Sequence, residues 1–179
     1  MHMKSAKTDQ WYIFNIVPKF GKDRFSMIKM IHVVPAYIIV NKLNEPIHFR
    51  GYTETTNLIT ACNPGDQIPF HFDPQAIKQI QCSFEPGEWS ANLDFASVGK
   101  VHCRAVKKGV EMLLRIELFL EGGTCFVFIE ESRYWPFVLE NQSDYPLNFN
   151  QLGCDTITRK LEPKSVMQYA WDAPSEKSK

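Results

Sequence analysis

No stretch of this 179-residue chain approaches the ~20 consecutive apolar residues that a membrane-spanning helix requires. The opening MHMKSAKTDQ has no apolar core of the kind a secretory signal carries, and its Met-His-Met start reads as a cloning remnant. Net charge is also missing: twenty Lys and Arg balance twenty Asp and Glu. A nucleic-acid partner is therefore not expected, since that needs a basic stripe to displace counterions. The nearest approach, Lys4 to Lys29, reads as a solvated segment. The five cysteines (Cys62, Cys82, Cys103, Cys125 and Cys154) are odd in number and far apart, which suits buried thiols in a reducing, cytosolic compartment better than a disulfide framework.

Catalytic and metal signatures are equally scarce. No Cys-x-x-Cys or His-Glu-x-x-His occurs, and none of His2, His32, His48, His71 and His102 stands at ligand spacing from another His or a Cys. His102 and Cys103 point to opposite faces of a strand, which argues against a thiolate pair. His71-Phe72-Asp73 reads as a surface pair, and Gly122-Gly123 and Pro64-Gly65 read as turns, because no glycine-rich loop feeds a helix. The expectation is a non-enzyme without cofactor or metal.

What the chain does have is period-two alternation. Val110, Met112, Leu114, Ile116, Leu118 and Leu120 define one face of a strand, and the intervening residues Glu111 to Glu121 form a wetter one. Gly122-Gly123 then turns the chain into a returning strand over Thr124 to Ile129. Further runs occur at Tyr12–Ile16, Met27–Val34, Tyr37–Val40, Ile47–Tyr52, Ile77–Phe84 and Lys100–Val106. Short strands without helical patterns between them predict an all-β fold of antiparallel β-sandwiches. With 44 % hydrophobic and 13 % aromatic residues there is ample material for a core.

The chain also matches itself. A shift of 100 residues aligns YIIVNKLNEPIHFR (Tyr37–Arg50) with FVLENQSDYPLNFN (Phe137–Asn150), so that Asn41 meets Asn141, Pro46 meets Pro146 and Phe49 meets Phe149. One residue shorter, Pro64, Phe70, Phe72 and Asp73 face Pro163, Tyr169, Trp171 and Asp172, and the hairpin around Gly21 corresponds to the one around Gly122-Gly123. Such self-similarity predicts two tandem units of ~100 residues. The expected division is a remnant or disordered start at 1–10, a first β repeat over 11–109, and a second, incomplete repeat over 110–179. Asn41 and Asn141 each end an apolar strand before a polar loop closed by proline. An Asn there bonds backbone groups of the turn; contact with a partner is the alternative role.

The doubled pattern VVPAYIIVNKLNEPIHF and YWPFVLENQSDYPLNF resembles the adaptor-binding repeats of the chorein, or vacuolar protein sorting thirteen, family of bridge-like lipid-transfer proteins. The stretch EWSANLDFASVGKV, with Trp89-Ser90, Phe95 and Ser97-Val98-Gly99, and the ending VMQYAWDAP (Val166–Pro174) are similar to two further family patterns. The first unit departs from the ending, with Phe70-His71-Phe72-Asp73 in its place.

The resemblance implies a scaffold that binds Pro-x-Pro peptides of organelle-specific membrane adaptors. It would thereby recruit a lipid-transfer protein to membrane contact sites, meeting membranes only through those adaptors, as a monomer within a longer array. A sheet can take such a peptide as an added edge strand or in an aromatic-lined groove. Phe119, Phe126, Phe128, Tyr134, Trp135 and Phe137 form the richest aromatic stretch. The expected peptide site is therefore Phe126, Phe128, Tyr134, Trp135 and Asn141; the competing reading of the rings is sandwich core. A spacer without a ligand also fits, as does a headgroup- or calcium-binding module. The last needs clustered acidic loops, which only Asp172 and Glu130-Glu131 approach.

Overall fold

Alternation of apolar and polar side chains places the strands, and β11 (Val110–Glu121) shows the sorting most plainly. The structure is a computed structural model that describes residues 1–7, 10–51, 59–72, 77–95 and 99–174. In it Leu114, Ile116 and Leu118 are buried on one face of β11, while Arg115, Glu117 and Phe119 lie on the other. Gly122 and Gly123, at φ of 56° and 87°, return the chain as β12 (Thr124–Glu131). Two positive φ values give the turn whose twist matches its strands, and glycine reaches them without steric cost.

On one side of this hairpin lies β10 (Gly99–Lys107), antiparallel to β11. On the other lies β4 (Tyr37–Asn41), followed by β7 (Gln67–Phe70), giving a five-stranded sheet of order β10-β11-β12-β4-β7. The β12–β4 pair is parallel, with Val127 beside Ile39, and departs from the wholly antiparallel pattern expected. A four-stranded sheet of β6 (Ile59–Cys62), β5 (Ile47–Gly51), β8 (Gln79–Ser83) and β9 (Leu93–Asp94) carries the other half of the core. Its Ile47, Phe49, Ile80, Cys82 and Leu93 share one buried cluster with Ile39, Leu114, Ile116, Val127 and Ile129. Each such side chain contributes about 1.5–3 kcal/mol by leaving water.

The expected division at 109/110 can be placed on this arrangement. That point lies in the turn between β10 and β11, inside one sheet. The 110–131 hairpin shares its apolar face with the core formed by the residues before it.

Preceding the sandwich is a three-stranded meander of β1 (His2–Lys4), β2 (Trp11–Phe20) and β3 (Lys29–Pro35), with a 3-10 turn at Asp23–Phe25 between β2 and β3. The expected remnant or disordered start is thus a paired strand: Met3 stands opposite Tyr12, and the Met1 amino group donates to the Phe14 carbonyl at 2.7 Å. Asn15 Nδ2 donates to the Gly123 carbonyl at 2.6 Å, and a Cβ on Gly123 would collide with Val17. The Ile13 amide donates to Nδ1 of His71 at 3.1 Å, and the imidazole lies against the rings of Tyr12 and Phe14.

Following the sandwich, β13 (Phe137–Asn141) pairs with β16 (Ser165–Tyr169), and β14 (Leu147–Phe149) with β15 (Arg159–Leu161). These registers reproduce the earlier ones: Phe137 faces Tyr169 as Tyr37 faces Phe70, and Leu147 faces Leu161 as Ile47 faces Cys62. Burial is not reproduced. Ile47 is 0 % exposed and Leu147 46 %. Among the described residues no third strand joins either late pair, although Leu161 and Tyr169 are buried. No helix among the described residues is long and apolar enough to cross a membrane. Tyr52, Asp73 and Ser97-Val98, which entered the sequence reading, lie outside the described residues.

Two predictions follow from burial. Ile47→Ala lowers stability in urea unfolding by about 2–5 kcal/mol through a core cavity, whereas Leu147→Ala changes it by about 0.5 kcal/mol or less. His71 has its pKa lowered from the usual 6.5 by burial. Its contribution to holding the N-terminal meander is therefore complete above that value and lost as pH falls through the folded value. Thermal unfolding at pH 5.0 occurs earlier than at pH 7.5, and His71→Gln reduces that difference.

Candidate peptide-binding face

The two repeated asparagines have matching surroundings. Asn41 is fully buried; its Nδ2 donates to the carbonyls of Glu45 (2.8 Å) and Cys62 (2.9 Å), and its Oδ1 accepts from the Leu43 amide (2.9 Å). Asn141, 1 % exposed, donates to the carbonyls of Tyr145 (2.8 Å), Leu161 (3.2 Å) and Glu162 (3.0 Å), and accepts from the Ser143 amide (3.0 Å) and hydroxyl (2.8 Å). An amide side chain offers a donor and an acceptor on one rigid plane, so it ties the turn to the neighbouring strand end. With every polar atom engaged by its own chain, Asn141 presents no surface to a peptide. What it can affect is the turn that it holds.

Phe126 and Phe128 project from β12 on the face opposite the buried Val127 and Ile129. Their rings stack at 6.2 Å and 17°, half-buried. Register places Phe119 (49 % exposed) opposite Phe126 on one side and Ile38 on the other, with Pro69 beyond. Directly opposed residues share a face of the sheet, so these five form an apolar row on the outer surface. Lys42 Nζ lies 4.4 Å above the Phe128 ring. An Arg115–Glu130 ion pair and Lys100–Glu117 at 3.4 Å rim it. The rings are not the sandwich core. Both edges of β12 are occupied, by β11 and β4, which leaves the surface of the sheet, not its backbone, to meet a ligand.

The other expected residues lie elsewhere. Tyr134 is 83 % exposed in the connection to β13. Trp135 is partly buried, with the Arg104 guanidinium 4.9 Å from its ring centre and the same guanidinium 5.1 Å from Tyr169. Arg104 stands opposite Leu113 on β11, six positions from Phe119 on the same face, or ~20 Å along a strand.

Sequence reasoning missed what gathers here. Arg104 donates to the Ala170 carbonyl (2.7 Å) and pairs with Glu111 (2.7 Å) and Asp172 (3.4 Å). Arg159 pairs with Asp172 at 2.5 Å and Glu111 at 3.1 Å, and Tyr169 Oη donates to Asp172 at 3.2 Å. The Asp172 side chain is 1 % exposed. The Asp172 hydrogen bond holds the Arg159 pKa above its ordinary range, and burial followed by the Asp172 charge raises that of Tyr169. Two guanidinium and two carboxylate groups thus cancel at the junction between β10–β11 and the C-terminal strands. The only sequence signal was alternation putting Arg104 and Glu111 on the wet face of adjacent strands; their partners lie 48 to 68 residues away.

Nothing in this arrangement resembles a nucleophile and base. Cys103 faces the core, and its thiol, hydrogen-bonded to Cys82 and buried, is pushed well above the usual range. No group of three metal-ligating side chains occurs among the described residues.

Removing Asp172 leaves Arg104 and Arg159 to share Glu111 alone, so Asp172→Ala costs about 1.5–3 kcal/mol in denaturant unfolding. Asn141→Ala costs about 1–3 kcal/mol through unpaired buried carbonyls.

Comparison with known proteins shows the family. The family model described as vacuolar-sorting associated protein 13, adaptor binding domain, matches residues 1–178. An intermembrane lipid transfer protein VPS13 of Chaetomium thermophilum is 30 % identical over 178 residues, covering 89 % of this chain and 5 % of that protein. An intermembrane lipid transfer protein vps13D of Dictyostelium discoideum is 24 % identical, covering 95 % of this chain and 4 % of that protein. The chain therefore spans about a twentieth of these relatives. With the match running almost end to end, the chain belongs to the VPS13 adaptor-binding domain family.

Proposed function

We propose that this chain binds short Pro-x-Pro peptides of membrane adaptors through the outer face of its five-stranded sheet, and so recruits a bridge-like lipid-transfer protein to membrane contact sites. One observation carries the reading: Phe119, Phe126 and Phe128 stand partly solvated on the surface while alternate residues of the same strands fill the core. Apolar rings in open contact with water are a surface in need of a partner.

The chemistry suits proline. A Pro-x-Pro segment is pre-ordered in an extended polyproline conformation, so docking its rings on aromatic side chains costs little conformational entropy. The Phe126–Phe128 stack, with Ile38 and Pro69 beside it, offers apolar area, and Lys42 and the ion-paired rim offer polar contacts at its border. With β12 paired on both edges, ring docking is favoured over strand addition there. Asn141 acts through the turn it holds, and Trp135 through the Arg104 junction; Tyr134 is open to direct contact.

The test is fluorescence anisotropy of a labelled Pro-x-Pro peptide titrated with the 179-residue chain. Wild type gives saturable binding. Phe126→Ala and Phe128→Ala each weaken it about tenfold, equivalent to ~1.4 kcal/mol, with the unfolding midpoint nearly unchanged. Binding that ignores both substitutions in folded protein defeats the assignment of the site. No saturable binding by wild type makes the chain a spacer.

A further inference from the structure

The core holds a pair of thiols that neither the aromatic platform nor the charged junction uses, Cys82 and Cys103. Both are free and fully buried. They come from different sheets: Cys82 stands opposite Phe49 in the four-stranded sheet, and Cys103 opposite Leu114 in the five-stranded one. Alternation points each of them inward, Cys82 with Ile80 and Cys103 with Ala105, into the same buried cluster.

Packed sheets ordinarily stand ~10 Å apart, yet Cα atoms of β8 and β10 come within 8 Å of one another across the sandwich. Small inward side chains, Cys82, Cys103 and Ala105, permit that approach. A disulfide spans Cα atoms ~4.4–6.8 Å apart, so the two strands are within a small adjustment of bridging distance. Ser90, from the Trp89-Ser90 motif, fixes the Cys82 side. Its Oγ accepts from the Cys82 amide at 3.0 Å and the Cys82 thiol at 3.5 Å, and its amide donates to the Cys82 carbonyl at 2.9 Å. Each thiol is the largest influence on the ionisation of the other: hydrogen bonding between them lowers the Cys82 pKa and raises that of Cys103. One member of the pair is thereby suited to act as nucleophile and the other to keep its proton. Access comes from the lip of the sandwich, since β10 is the edge of its sheet and β9, the neighbour of β8, is two residues long. Short edge elements open locally before the fold does.

We propose that Cys82 and Cys103 form an oxidation site at which a peroxide joins the two sheets through a disulfide. The Cys82 thiolate attacks one peroxide oxygen and the O–O bond breaks. Cys82 becomes a sulfenic acid, and the departing hydroxide takes up the proton that Cys82 released and leaves as water. The Cys103 sulfur then attacks the Cys82 sulfur. The S–O bond breaks, the hydroxyl leaves with the Cys103 proton as a second water, and two electrons have passed from the thiol pair to the peroxide. A peroxide suits the site because it is small; a bulky disulfide reaches these thiols only if the core unfolds. The new bond closes a loop of about twenty residues and ties the edge strand β10, which carries Arg104 of the charged junction, to the opposite sheet. Under reducing conditions the pair rests as thiols.

The test treats the folded 179-residue chain with hydrogen peroxide, blocks the remaining thiols with N-ethylmaleimide and maps the peptides without reduction. Wild type yields an intramolecular cross-link between the peptides that carry Cys82 and Cys103. Dithiothreitol returns the pair to thiols and lowers the melting temperature of the oxidised chain by ~5–10 °C. A double variant, Cys125→Ser with Cys154→Ser, is altered only at half-buried thiols and gives the same cross-link. Cys103→Ala gives none and leaves a sulfenic acid at Cys82 that dimedone traps; the wild-type map decides the question even where this core variant folds poorly. A wild type whose Cys82 and Cys103 are both still blocked by maleimide after Cys125 and Cys154 have oxidised overturns the proposal. So does a disulfide that joins either residue to a different cysteine, or a Cys82–Cys103 link whose reduction leaves the melting temperature unchanged.

Discussion

The pairing of β12 with β4 is the contact on which the rest of the molecule depends. It sets Val127 beside Ile39 and Ile129 beside Asn41, brings the hairpin's inner face over Ile47, Phe49 and Ile80, and turns two open sheets into one closed core. Because β12 is fed by the tight Gly122-Gly123 turn, β11 and then β10 follow it into the sheet. The Lys42 amide extends the pairing with a bond to the Ile129 carbonyl at 2.8 Å. There the chain enters the turn held by Asn41, so the core and the repeated asparagine meet at one strand end.

The same pairing creates the surface proposed for recognition. A strand between two neighbours has no backbone left for a ligand, and its outward side chains become a flat platform. Phe126 and Phe128 are on that platform because they alternate with Val127 and Ile129. One residue of slip would exchange core for surface. The hydrophobic core thus sets the register, and the register sets the aromatic row. At the other end of the face, Arg104, Glu111, Arg159 and Asp172 lock the later strands to the sandwich with balanced charges. A buried ion network is weak evidence for stability, since an apolar junction of the same shape could serve as well; its geometry does fix where the later strands attach.

Where that partnership is missing, the molecule shows it in exposure. Leu147 and Phe137 occupy the places of Ile47 and Tyr37, with the same strand partners and the same Asn-held turn, and remain open to water. The asparagine side chain is fully hydrogen-bonded in both segments. Burial is complete only in the one that β12 closes, because covering an apolar face takes strands from outside the hairpin itself.

The sequence by itself determined what is local. Period-two alternation places β11 and β12, the glycine pair places their turn, and the self-match marks Tyr37 with Phe137 and Phe70 with Tyr169 as equivalent positions. Asparagine before a proline-closed loop is legible as a turn-holder, since its partners lie in that loop or on the strand beside it. Tertiary structure decided what joins distant segments. The parallel β12–β4 contact joins segments distant in the chain, and alternation is silent on strand direction. The start became a strand because β2 offered it an edge. Whether Phe126 and Phe128 face core or solvent was equally undecided, for an aromatic residue is suited to either side of a strand. Only the sheet packed against Val127 and Ile129 says which side is inside.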